Sequence, residues 1–207
     1  MNISTLLSTA LSIVAVSISV VTAWLTLFRS GDLRMTQPTV IFFGPDGGIP
    51  GGRKPRLKVF LRTLLYSTAR RGQTIESVHV NLQRGESRQN FSIWVYGDQR
   101  LARGSGLFVP QEGVACNHHF LLPEDGSEFQ LLAGRYILRV YAKKVSRRTP
   151  KELAAIAVHI SESQAQELWA DDAGIYFDWG PDQQAYHAHI ERRPTEPISI
   201  GLVEPAG

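Results

Sequence analysis

Residues 131–144 read LLAGRYILRVYAKK, and this run decides the fold. From Tyr136 onward the apolar residues fall on every second position. Tyr136, Leu138, Val140 and Ala142 share one face, with Arg139 and Lys143 opposite. Successive side chains of a strand point to opposite sides, so this spacing buries one face and wets the other. One dry and one solvated face is the pattern of antiparallel sheet. The alternation recurs on both sides of the run. In VHVNL, Val78, Val80 and Leu82 point one way, and His79 and Asn81 the other. In IAVHI, Ile156, Val158 and Ile160 face in and His159 faces out.

Working outward, strands are predicted near 39–43, 56–66, 76–83, 90–96, 106–109, 114–122, 135–143, 153–161, 175–179 and 184–191. The segments between them are rich in Gly, Pro, Asp and Ser, which favour turns. Leu131, Gly134 and Tyr136 form an L-x-x-G-x-Y run ahead of an alternating strand. That run resembles the tyrosine corner of immunoglobulin-like sandwiches, whose Tyr hydroxyl bonds back to nearby backbone. The resemblance covers about a dozen residues, and a single cysteine excludes the paired cysteines of antibody domains. It implies a fold, an all-β, immunoglobulin-like antiparallel sandwich, and no activity. One soluble helix is expected in SESQAQELWAD, capped by Ser161 or Ser163 and ended by Gly174. A C-terminal hairpin follows. A type I turn with Pro181 in second place would pair Phe177 with Tyr186 and Tyr176 with His187.

The N-terminus is of a different kind. Thr5 to Phe28 contains no charged residue, proline or glycine. As a helix it would run about 36 Å, enough for a hydrocarbon core of about 30 Å. A cleaved signal peptide would have a basic start and a shorter apolar core, and MNIST has neither Lys nor Arg. The expected organisation is a transmembrane anchor at 1–28, a polar stalk at 29–37, a sandwich at 38–192 and a flexible, proline-containing tail at 193–207. Arg29 and Arg34 follow the span and no basic residue precedes it, so the domain is expected on the cytoplasmic side. Ser8, Ser12, Ala15, Ser19 and Thr22 are spaced four and three apart. They place small residues in one stripe, suited to self-association or to pairing with another membrane protein.

Several side-chain groups invite chemistry. GVACNHHFLL (113–122) sets the lone Cys116 beside His118 and His119. On a strand, Val114, Cys116, His118, Phe120 and Leu122 share the core face, and His119 points away. The pair therefore cannot jointly grip an ion, and Cys116 reads as a buried small hydrophobe. His187, His189 and Glu191 share one face of the last strand, two imidazoles and a carboxylate that suit a divalent ion. They define the alternative of a metal-dependent hydrolase. Basic clusters lie at Arg53, Lys54, Arg56 and Lys58, at Arg70 and Arg71, and at Lys143, Lys144, Arg147, Arg148 and Lys151. The last is the candidate contact for an acidic leaflet or partner. A net charge of +3 is too small to argue for nucleic acid. Trp94 and Tyr96 could stack bases, but no nucleic-acid signature accompanies them. The chain has no P-loop, no G-x-S-x-G and no H-E-x-x-H, so neither catalysis nor a cofactor is expected. The expected role is a membrane-anchored protein-binding or accessory module, the alternative a periplasmic or extracellular adhesive or binding sandwich.

Overall fold

A computed structural model of the chain describes residues 2–25, 31–46, 56–98, 101–123, 129–170 and 173–192. Helix α1 (Ile3–Ala23) has a mean hydropathy of 2.1 and none of it is buried in the protein. It is long and apolar enough to span a bilayer. The strands follow in chain order: β1 (Leu33–Met35), β2 (Val40–Pro45), β3 (Leu57–Ser67), β4 (Gln73–Arg84), β5 (Ser87–Phe91), β6 (Ile93–Tyr96), β7 (Ala102–Arg103), β8 (Leu107–Val109), β9 (Val114–Leu121), β10 (Gly134–Lys144) and β11 (Lys151–Ile160). Helix α2 (Glu162–Ala170) and strands β12 (Ala173–Gly180) and β13 (Ala185–Arg192) complete the chain.

All strand pairs are antiparallel, and they form two sheets. The first runs β13-β12-β2-β3-β9-β6-β7, with β1 also on β3. The second runs β11-β10-β4-β5, with β8 also on β4. Both contribute to one hydrophobic core. Ile41, Phe43, Val59, Leu61, Phe120 and Phe177 enter it from the first sheet, and Ile75, Val80, Leu82, Tyr136, Leu138 and Ile160 from the second. The rings of Phe43 and Tyr136 meet across the layers at 6.3 Å. Each such side chain contributes about 1.5–3 kcal/mol by leaving water, so this core holds the layers together.

The face assignments of β4, β10 and β11 are those of the alternating sequence. Tyr136 has no exposed surface, and its hydroxyl donates to Leu132 O (2.7 Å) and accepts from Leu132 N–H (2.9 Å). Helix α2 opens with a reciprocal cap. Ser161 Oγ accepts from Gln164 N–H (3.2 Å), and Gln164 Oε1 accepts from Ser161 N–H (2.9 Å).

Four local expectations are corrected. First, the segment read as a polar stalk contains β1, whose Leu33 is buried in the core. Three residues, with Leu33 and Met35 apolar, were too few to show a period. Second, the single strand expected at 90–96 is two strands in different sheets, broken at Ser92. Phe91 and Trp94 are both buried, which a regular strand forbids at a spacing of three. Third, Gly174 does not end α2 but lies within β12, where Phe42 packs across it; an added Cβ would collide with that ring. Fourth, the terminal hairpin pairs Trp179 with Tyr186 and Tyr176 with His189, two residues from the expected register. Its loop is the four residues 181–184, with Gln184 at φ 50°. A shift of two keeps every side chain on its expected face. The proposed tail at 193–207 lies outside the described residues.

Tyr136→Phe removes the hydroxyl and leaves two backbone groups at Leu132 without this partner. The expected loss is about 1–3 kcal/mol in denaturant unfolding, with an unchanged m-value. An unaltered midpoint would mean that the hydroxyl contributes nothing net.

Candidate functional site

Two surface features combine concavity with chemistry. The first lies on the side of the domain where both sheets end. Among the described residues β11 pairs only with β10, and β13 only with β12, so each presents an unpaired edge. A cleft of about 500 Å³ separates them, lined by Ile156, Val158, Phe177, Trp179, Tyr186 and Ala188 among others. Tyr186 is fixed there. Its hydroxyl donates to Pro38 O and accepts from Gln37 Nε2, each at 2.9 Å, and burial pushes its pKa up to about 12. Trp179 meets its ring edge-on at 5.1 Å. Proteins usually shield free edges with lysine, proline, bulges or inward charges. The stretch Ala154–Ile160 of β11 has none of these, and its outward side chains are Ala155, Ala157 and His159.

The second feature is the end of the domain at which the chain enters. Asp32 O accepts from Thr68 N–H (2.9 Å), and Asp32 N–H donates to Thr68 Oγ1 (2.7 Å). Gln73 Nε2 and Lys144 Nζ both donate to Gly31 O. Lys151 Nζ lies 3.1 Å from Asp32 Oδ1, and this pairing holds the Asp32 carboxyl below its ordinary pKa. The β3–β4 turn with Arg70 and Arg71 and the β10–β11 turn with Arg147 and Arg148 are therefore side by side. A pocket of about 270 Å³ opens there, lined by Asp32, Ala142, Lys144, Arg147, Thr149, Pro150 and Lys151. Lys144 is buried, and burial followed by the Arg147 charge lowers its pKa. Lys143 turns aside to Glu76 at 2.7 Å. The cluster 143–151 was legible as a basic run. That Gly31, Asp32 and the Arg70–Arg71 turn join it depends on the β4–β10 pairing, for which the sequence carries no local signal.

The remaining candidates do not converge in this way. His187, His189 and Glu191 project outward from β13 and are exposed. His189 Nδ1 lies 3.1 Å from Asp178 Oδ2 and the ring stacks on Tyr176 at 5.3 Å. The Tyr176 hydroxyl has its pKa raised first by burial and then by the Glu191 carboxylate. Among the described residues no three His, Cys, Asp or Glu side chains are grouped to hold a metal ion. On α1, Ser12 Oγ and Ser19 Oγ donate to the carbonyls of Ser8 and Ala15, both at 2.9 Å. Trp94 is buried and stacked on Tyr96 at 4.7 Å. Arg53 and Lys54 lie outside the described residues.

Cys116 and His118 are both buried in β9. Trp94 Nε1–H donates to His118 Nδ1 at 3.1 Å, which leaves Nε2–H toward Cys116 Sγ at 3.3 Å. This chain requires a neutral imidazole. Burial, then the charge of His119, brings the His118 pKa down to about 4. His119 packs on Phe60 at 4.9 Å and is likewise lowered to about 4 by burial and then Lys58. Burial first, and Asp98 second, raises the Cys116 thiol to about 11. At pH 7 the thiol is therefore protonated and the imidazole uncharged, which lacks the thiolate that a nucleophilic cysteine uses.

No protein-family model, curated protein or solved structure matches the chain.

The two histidines set an acid limit. An unfolded chain takes up these protons near pH 6.5, and the folded protein resists until about pH 4. The unfolded state then binds more protons across that window, so stability falls as pH drops through it and is flat in this respect above it. The urea midpoint should be lower at pH 5 than at pH 7, and His119→Gln should reduce the difference. Equal midpoints at both pH values would contradict the neutral assignment.

Proposed function

We propose that the protein is a single-span membrane protein whose immunoglobulin-like sandwich, held on the cytoplasmic side, is a protein-binding module. The observation that carries this reading is the cleft of about 500 Å³ between the unpaired edges of β11 and β13. An extended segment of another protein can add to a free edge by main-chain hydrogen bonds. Its alternate side chains then enter the cleft beside it for specificity. The middle of β11 suits such addition, because Ala155 and Ala157 leave room and Arg135 is the one charged side chain among the described residues that line the cleft. Aromatic residues are the usual anchors of such contacts, and Tyr186 and Trp179 stand at the mouth.

The immunoglobulin-like assignment draws its support from the Tyr136–Leu132 hydrogen bonds, the arrangement of a tyrosine corner. The cytoplasmic side is supported by Arg29 and Arg34 after the span and the lack of any basic residue before it.

One variant tests both parts. A membrane-permeant maleimide–benzophenone reagent should attach to Ala157→Cys in intact cells, and light should then yield an adduct with a second protein. An impermeant maleimide should leave the same cysteine unmodified until the cells are opened. Labelling from outside would reverse the orientation. Attachment without any adduct would remove the docking edge.

A further inference from the structure

The entry end of the domain carries cations and exposed apolar groups together. Val145 N–H donates to Thr74 O at 3.1 Å, and Thr74 faces Phe108 across the β4–β8 pair. Phe108 and Val145 thus flank one residue, 56% and 63% exposed. Beyond residue 25, the only other exposed large apolar side chains among the described residues are Leu101 and Leu132. Around the two stand Arg70, Arg71, Arg147 and Arg148, all exposed and without an ion pair among the described residues. An apolar centre inside a basic rim is the composition of a surface that rests in a bilayer interface.

The pocket beside it has uncompensated charge. Lys144, Arg147 and Lys151 line it against the carboxylate of Asp32, which is already paired with Lys151. Thr149 adds a hydroxyl. A phosphate diester matches this set: the guanidinium fork of Arg147 and the ammonium of Lys144 can bind its oxygens, and the hydroxyl can donate to a third. The tether brings lipid to the pocket. Gly31 follows the last residue of α1, Ala23, by eight residues. Even fully extended that connection reaches only about 29 Å, so the entry end is the part of the domain held nearest the membrane.

We propose that this end of the domain seats on an anionic bilayer surface. Phe108 and Val145 enter the interfacial layer, and the Lys144–Arg147–Thr149–Lys151 pocket takes the phosphate of an anionic phospholipid. Each basic residue near such a surface strengthens binding about fivefold, the equivalent of about 1 kcal/mol. The proposal rests on α1 being a membrane span and is independent of which side the domain occupies.

The test uses the full chain in lipid nanodiscs, with an environment-sensitive fluorophore on Val145→Cys. The native Cys116 is buried, with a thiol pKa of about 11, and stays unlabelled. In discs containing phosphatidylglycerol the emission should rise and shift to the blue relative to pure phosphatidylcholine. Arg147→Gln with Arg148→Gln, both exposed and harmless to the core, should weaken the seated state about 25-fold, the product of two such charges, and high salt should release it. A label at Glu86→Cys, in the β4–β5 turn, should not respond. Equal emission at position 145 in both kinds of disc would overturn the proposal. Failure of the chain to enter discs would overturn it together with the span. An equal response to glycerol phosphate in neutral discs would assign the pocket to a soluble phosphate ester instead and overturn the lipid assignment.

Discussion

Leu33 is the first described residue after the membrane-spanning-length helix to enter the core, and the placement of the whole domain depends on that burial. It lies in β1, paired with Ser67 of β3, and it is 2% exposed. Asp32 and Gly31, just before it, are tied by hydrogen bonds and an ion pair to the β3–β4 and β10–β11 turns. The exposed ion pair alone would contribute little. The apolar side chain and the backbone bonds hold residues 31–36 to the domain.

From that anchoring the rest of the surface acquires direction. The β3–β4 connection and the turn of the β10–β11 hairpin, with their arginines and lysines, lie at the entry end. The cleft between β11 and β13 lies on the flank, and α2, near the far ends of β11 and β13, lies away from it. On the reading proposed above, one end meets lipid and the flank stays accessible to a partner moving in the plane of the membrane. Burial of His118 between Trp94 and Cys116 belongs to neither surface. Its hydrogen bonds join β6 to β9 inside the first sheet, and they hold only while the imidazole is neutral.

Much of the fold was legible because its decisive strands are long and alternate cleanly. Eleven residues of β10 and the last six of β11 alternate with a period of two. The tyrosine run was legible for the same reason, since Gly134 and Tyr136 are fixed by local geometry. What the sequence hid was set by tertiary contact. The three residues of β1 carry no period. Phe91 and Trp94 both face the core only because the chain changes sheets at Ser92. Gly174 resembles a helix stop until the Phe42 ring is seen across it. The site divided along the same line. The basic run 143–151 could be read directly. Its company with Asp32 and Phe108 could not, because it arises from β4 pairing with β10 on one side and β8 on the other.

Hydrogen exchange of the full chain in lipid nanodiscs tests the pinned connection most directly. The amides of Arg34 and Thr36 face β3: Thr36 N–H donates to Leu64 O, and Arg34 follows by the two-residue alternation of an antiparallel pair. They are expected to exchange with protection close to that of the β3 amides opposite them. Exchange at the rate of an unstructured peptide would mean a free stalk. It would contradict both the rigid entry of the chain and the orientation built on it.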